Sequence, residues 1–155
     1  PRLAVVSEPV EARRAAAVRL GASSALDPAG SGAAEAACEA SGGGVDVAFD
    51  CAGTQEAIDD ATRMLRPGGT LVLIGIPEGT DRITYDPHLM RRREIAVVNV
   101  RRQNRMLERA IRILELRRDA APVMLTHRFL PSQAVEAFRM VERREDRSIK
   151  AILEF

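Results

Sequence analysis

Val45-Asp46-Val47-Ala48-Phe49-Asp50 and Leu65-Arg66-Pro67-Gly68-Gly69-Thr70-Leu71-Val72-Leu73-Ile74-Gly75 bracket the stretch that decides the fold. Each holds an apolar run of strand length, and between them Ala57, Ile58, Ala61 and Leu65 recur at helical spacing. Strand, helix, strand over so short a distance argues for parallel strands joined by a covering helix. Arg66-Pro67-Gly68-Gly69 reads as the turn into the second strand, because proline fixes one dihedral and glycine permits positive φ.

The alternation continues in both directions. Upstream, Leu3 to Val6 suits a buried parallel strand, Pro9 suits a helix start, and Val10 to Leu20 is helix-like up to Gly21. Ser24 to Leu26 reads as a short strand, and Ala33 to Ala40 as a helix closed by Gly42-Gly43-Gly44. Between them, Gly30-Ser31-Gly32-Ala33-Ala34 follows a turn rather than a full strand, which makes it a loop and not a phosphate cradle. Downstream, Arg82 to Tyr85 is expected as a short edge strand and Ile95 to Val100 as a buried one. Leu107, Ala110, Ile111 and Leu114 define an amphipathic helix. From about Ala121 the pattern gives a strand near Thr126 to Leu130, a helix from Ala134 to Val141, and a strand from Ile149 to Phe155. The fold class is α/β, a parallel sheet flanked by helices.

Composition narrows the function classes. The chain has 155 residues, 46% hydrophobic and 29% charged, enough for one core and unlike a disordered segment. Its 23 basic and 22 acidic side chains leave a formal net charge of +1, with no clustered excess to suggest nucleic acid. No apolar stretch has the length of a membrane span, so no membrane partner is expected. Cys38 and Cys51 are the only cysteines and have no histidine at ligand spacing, which points to a reduced, cytoplasmic setting. His88 and His127 lack a Ser, Cys or carboxylate partner at nucleophile spacing, so no catalytic residue is nominated. Cys51 reads as a small packed residue, and His127 as a structural member of its strand.

Several segments in order resemble the zinc-type medium-chain dehydrogenases of the alcohol, sorbitol and threonine dehydrogenase kind. They are Ala4-Val5-Val6-Ser7-Glu8 with Arg13 and Leu20-Gly21-Ala22, then Val45 to Gly53, Leu65 to Gly75, Leu125 to Phe129, and Ser148 to Leu153. The resemblance covers essentially the whole chain and implies the C-terminal, nucleotide-binding part of such an enzyme. It implies a Rossmann-like sheet that lacks its first strand and glycine-rich turn, and hence a fragment. Removing that central strand leaves unpaired backbone groups on both its neighbours. On this reading residues 1–120 form a partial NAD(P)-binding domain. Residues 121–155 pack on a catalytic domain that this sequence does not contain, which predicts exposed apolar surface there.

The resemblance also assigns roles. Glu8 ends the second Rossmann strand, where an acid accepts hydrogen bonds from the adenosine ribose and repels a 2′-phosphate, favouring NAD. The competing reading is a carboxylate favourably placed at a helix start. Arg13 either approaches adenine or a phosphate, which leaves NADP open, or is a surface arginine. Ala52, Gly53 and Thr54 would pass beneath the adenosine, although a tight strand-to-helix turn explains Gly53 equally well. Gly75 and Ile76 would floor the nicotinamide ring, and backbone groups near Ile74, Val98 and Val100 would fix its carboxamide. Those side chains are otherwise core. Arg101 and Asn104 would face cofactor or substrate, and Lys150 matches a basic position near the pyrophosphate, as a point charge where the family generally has arginine.

The whole enzyme implied is an NAD(H)-dependent alcohol or polyol dehydrogenase, with zinc held outside this chain and this part inactive alone. Two other classes compete. A class I S-adenosylmethionine-dependent methyltransferase also has an Arg-Pro-Gly-Gly turn before an apolar strand, but its pattern has no place for the tail. A non-catalytic dimerisation module would use the edge strand at Arg82 to Tyr85 to make a homo-oligomer.

Overall fold

The computed structural model describes residues 2–30, 32–77, 82–143, 145 and 147–155. In chain order the elements are β1 (Val5–Ser7), α1 (Glu11–Arg19), β2 (Ser24–Leu26), α2 (Ala33–Ser41), β3 (Val45–Asp50), α3 (Gln55–Met64) and β4 (Leu65–Leu73). Then come α4 (Pro87–Arg92), β5 (Ala96–Asn99), α5 (Leu107–Leu116), α6 (Ala120–Met124), β6 (Leu125–Phe129), α7 (Ala134–Glu142) and β7 (Lys150–Leu153). Every strand pairing is parallel, as the crossover pattern requires. Ser31, within the glycine-bearing loop before α2, lies outside the described residues.

The chain forms two compact units, one of residues 32–104 and one of residues 1–31 with 105–155. In the first, β4 lies between β3 and β5. Ala48, Leu71 and Leu73 on one face of the sheet pack with Ile58 and Ala61 of α3 and with Leu65. Ile58, Leu65 and Leu71 are the largest fully buried side chains. α3 is held at both ends. Thr54 Oγ1 accepts the Ala57 amide at 3.2 Å, and the Arg93 guanidinium donates to the Arg63 and Leu65 carbonyls at 3.0 Å each.

Three expectations change in this unit. Arg66 to Gly69 is not a free turn. Val45 pairs with Leu65 and Val47 with Thr70, so those four residues bulge out within β4. Arg82 to Tyr85 is not a strand. The Gln55 side chain accepts the Thr84 amide at 3.0 Å and donates to its carbonyl at 2.9 Å, taking the place of a neighbouring strand. Ile83 and Tyr85 instead pack on the core. Finally, α4 was not legible as a helix, although Asp86-Pro87 marks its start and Asp86 Oδ1 accepts the His88 and Leu89 amides.

The opposite face of this sheet is bare. Val47, Phe49, Ile74, Val98 and Val100 are all exposed, Phe49 to 62%. The strands read as two-sided and apolar, yet α3, which packs on the sheet, leaves that face open. β3 pairs β4 on one side and has no strand partner on its other side among the described residues.

In the second unit β1 pairs β2, and β6 pairs β7. Ala16 of α1, Val123 of α6 and Ala137 of α7 are buried. α6 was not expected. His127 of β6 hydrogen-bonds Thr126 Oγ1 at 2.9 Å and stacks on Phe129, a structural position. α5 forms where its periodicity places it, but Leu107, Ile111 and Leu114 remain exposed, so its apolar stripe is uncovered. Leu130, Val135, Phe138 and Phe155 are exposed in the tail as well.

Candidate functional site

Open α/β sheets bind ligands beyond the carboxyl ends of their parallel strands, and within residues 32–104 Ala52, Gly53, Gly75 and Ile76 follow such ends. At the end of β3 the controlling residue is Asp50, which the sequence reading passed over. It is 3% exposed. Its Oδ1 accepts the Ala52 and Gly53 amides at 3.0 Å each, and Gly53 also lies 3.3 Å from Oδ2. Its backbone carbonyl receives the Ile74 and Gly75 amides at 2.9 and 3.0 Å. One residue therefore ties the turn after β3 to the chain leaving β4. A strand-end aspartate followed by Cys-Ala-Gly is the signal that could have found it.

Gly53 and Gly75 meet at this tie. Gly53 has φ +72°, and a Cβ there would lie 2.7 Å from the Ile76 carbonyl. A Cβ on Gly75 would lie 2.2 Å from the Gly53 nitrogen. The need for glycine is thus met inside the protein, which favours the tight-turn explanation for Gly53 and extends it to Gly75. Ala52 is exposed beside them, Thr54 caps α3, and Ile76 is 81% exposed. Cys51 is exposed beside Asp50, and desolvation first, then the Asp50 charge, pushes its thiol pKa up. The same two causes raise the Tyr85 phenol. A raised thiol is a poor nucleophile at neutral pH.

Val98 pairs with Val72, and the Val100 amide donates to the Leu73 carbonyl at 3.0 Å. Both side chains are exposed rather than core. Arg101 is exposed in the turn after β5, where Arg102 and Asn104 take positive φ values of 49° and 34°. Such angles are uncommon outside glycine, although asparagine tolerates them best.

In the other unit, Glu8 directly follows β1 and its amide donates to Leu26 O at 3.0 Å. Its Oε1 accepts the Val10 amide at 2.9 Å, at the entrance of α1. Oε2 has no hydrogen-bond partner among the described residues, so the helix-start contact uses one of its two carboxylate oxygens. Arg13 is not an idle surface arginine. Nε and Nη2 donate to the Ser148 carbonyl at 3.4 and 3.2 Å, which fixes the chain just before Lys150. Lys150 begins β7 with its side chain exposed. The Ser148 hydroxyl is buried and has no partner among the described residues.

Glu8 leaves one carboxylate oxygen open as an acceptor and Lys150 an exposed amine as a donor, the group types that a ribose hydroxyl and a phosphate take. Among the described residues no three His, Cys, Asp or Glu side chains come together to hold a metal ion.

Residues 4–115 match the family model described as zinc-binding dehydrogenase, and the chain belongs to that family. It is similar to a geraniol dehydrogenase of Castellaniella defragrans, 46% identical over 74 residues, covering 47% of this chain and 20% of that protein. A sorbitol dehydrogenase of Arabidopsis thaliana is 32% identical over 139 residues, covering 86% of this chain and 37% of that one. Among solved structures, a short chain alcohol dehydrogenase of Escherichia coli CFT073 complexed with the cofactor NADH shares the fold. Its TM-score is 0.83 at 17% identity, over 99% of this chain and 45% of that chain. The chain therefore spans between a fifth and under half of the proteins it matches. The fold is the Rossmann-like α/β arrangement expected, and the methyltransferase alternative falls with the family match.

Proposed function

We propose that this chain is the cofactor-binding portion of an NAD(H)-dependent, zinc-type alcohol or polyol dehydrogenase. The observation that carries the reading is Glu8, a half-buried carboxylate at the carboxyl end of a parallel strand with one oxygen committed to helix α1 and the other open. That is where a dinucleotide-binding fold places its ribose acceptor. The family match and the alcohol and sorbitol substrates named for relatives support the reaction class.

Bound NAD supplies the hydride acceptor, and this chain's residues bind and orient it. Glu8 accepts hydrogen bonds from the adenosine ribose hydroxyls, and Arg13 holds the Ser148 carbonyl so that Lys150 stays near the pyrophosphate. The turn Ala52-Gly53-Thr54 takes the adenosine side. Gly75 and Ile76 floor the nicotinamide, while backbone at Ile74, Val98 and Val100 fixes the carboxamide and Arg101 borders it. The uncompensated Glu8 charge favours NAD over NADP, because a 2′-phosphate beside a carboxylate is repelled. In this reading zinc and its ligands belong to the whole enzyme, and the residues named here supply its cofactor site.

Residues 121–155, with Phe138 75% exposed, pack on the catalytic domain of that enzyme. Self-association would use β5 rather than Arg82 to Tyr85, since all four β5 residues are exposed and one edge carries no strand among the described residues. No helix of the described residues is long and apolar enough to cross a membrane. The two free cysteines agree with a reduced, cytoplasmic setting. Competition between NADH and S-adenosylmethionine, followed by nicotinamide fluorescence, tests the assignment. Binding of NADH that S-adenosylmethionine cannot displace supports it, and the reverse preference refutes it.

A further inference from the structure

Two arginines follow Glu8, and the structure uses them differently. Arg13 is turned to the Ser148 carbonyl. Arg14 is turned back to the end of β1, where its Nη1 donates to the Glu8 carbonyl at 2.7 Å and the Pro9 carbonyl at 2.8 Å. The same nitrogen lies 3.1 Å from Asp27 Oδ2. Nε and Nη2 of Arg14 make no hydrogen bond among the described residues. Asp27 stands there because β1 and β2 pair in register, Ser7 opposite Leu26, which brings the residue after β2 beside the residue after β1. Its two oxygens divide the work, since Oδ1 accepts the Ala29 amide at 3.0 Å and closes the turn while Oδ2 faces Arg14.

We propose that the Arg14–Asp27 pair is a specificity determinant, in which Asp27 neutralises the guanidinium beside Glu8 and keeps the site selective for an unphosphorylated ribose. The inference rests on Glu8 being the ribose acceptor. A 2′-phosphate adds negative charge where Glu8 already carries one, and such sites accept it only where an arginine stands ready with paired N–H donors. Arg14 has the donors, two of its nitrogens being unused, and it has the place. Its charge is balanced by Asp27, and its Nη1 is tethered to two carbonyls. The arginine that decides between the two cofactors is therefore Arg14, and the residue that restrains it is Asp27.

The test titrates the 155-residue chain with adenosine 5′-monophosphate and adenosine 2′,5′-bisphosphate, followed by NMR. The variants are Asp27→Asn, Arg14→Gln and the double variant. Asparagine keeps an oxygen for the Ala29 amide, so the turn is preserved. Asp27→Asn is expected to raise the affinity for the bisphosphate relative to the monophosphate by about threefold to fivefold, the size of a partly exposed ion pair. In the Arg14→Gln background the same change is expected to do markedly less, because no guanidinium remains to be released. An unchanged ratio in Asp27→Asn overturns the proposal, and so does an equal shift without Arg14. Wild-type chain that binds neither nucleotide overturns this proposal together with the role of Glu8. Wild-type chain that binds the monophosphate, with a ratio indifferent to Asp27, overturns the role of the pair alone.

Discussion

Asp50 accepts the Gly53 amide through its carboxylate and receives the Gly75 amide at its own carbonyl, both at 3.0 Å. A single buried residue thus holds together the two backbone segments that leave the carboxyl ends of β3 and β4. A buried carboxylate is tolerated because N–H groups solvate it in place of water.

Asp50→Ala is therefore expected to destabilise the fold by about 1–3 kcal/mol, since it strands the buried Gly53 amide and frees the part-buried Ala52 amide. Asp50→Asn keeps an acceptor and is expected to lose less. Urea unfolding of the three proteins checks the order. Equal losses for both variants would mean the carboxylate fills space rather than bonding the turn.

Gly75→Ala and Gly68→Ala separate contact from conformation. A Cβ on Gly75 collides with the Gly53 backbone at 2.2 Å, whereas Gly68 has φ +74° and nothing within 4 Å. Gly68→Ala is expected to cost about 1–2 kcal/mol of backbone strain. Gly75→Ala must displace backbone and costs more. Thermal melts in which Gly68→Ala is the worse variant would contradict the packing described.

Helix α4 depends on the ionised Asp86, whose pKa is lowered chiefly by the Leu89 and then the His88 amide it accepts. A carboxylate with a lowered folded-state pKa stabilises above its unfolded value, and that stabilisation is lost as pH falls through the folded value. Amide exchange at His88 and Leu89 is expected to accelerate in this acid window. Asp86→Asn, which can cap without ionising, should remove the pH dependence while leaving the helix. The same acid-dependent acceleration in Asp86→Asn would place its origin elsewhere.

Cys51 should behave as a sluggish thiol. Burial and the Asp50 charge raise its pKa, so the thiolate is scarce at neutral pH. Alkylation by iodoacetamide is expected to rise only at pH values above those for an unperturbed cysteine. Asp50→Asn should shift that profile toward lower pH. A rate at neutral pH above that of a free thiol would show an activated cysteine that the structure does not contain.

Much of this was legible in the sequence because strand and helix periodicities are local. β2 and β3 fall where apolar runs place them, and α2, α5 and α7 where helical spacing does. The bulge at Arg66 to Gly69 was not legible, since it arises from the pairing of Leu65 with Val45, a partner twenty residues away. Nor was the replacement of an edge strand at Thr84 by the Gln55 side chain, because polar side chains reveal partners only in space. The candidate residues themselves were visible from the resemblance, but their supports were not. Asp50, Arg14 and Asp27 act through hydrogen bonds to turns that only the folded backbone brings near.

The central claim is that these residues bind a nicotinamide dinucleotide through Glu8. The most direct test is an NMR titration of the chain with NADH, wild type against Glu8→Ala. The account predicts shifts concentrated at Glu8, Ala52, Gly53, Gly75 and Lys150, with weaker binding in Glu8→Ala. No NADH-dependent shift in the wild type, or the same shifts at equal affinity without the Glu8 carboxylate, would contradict it.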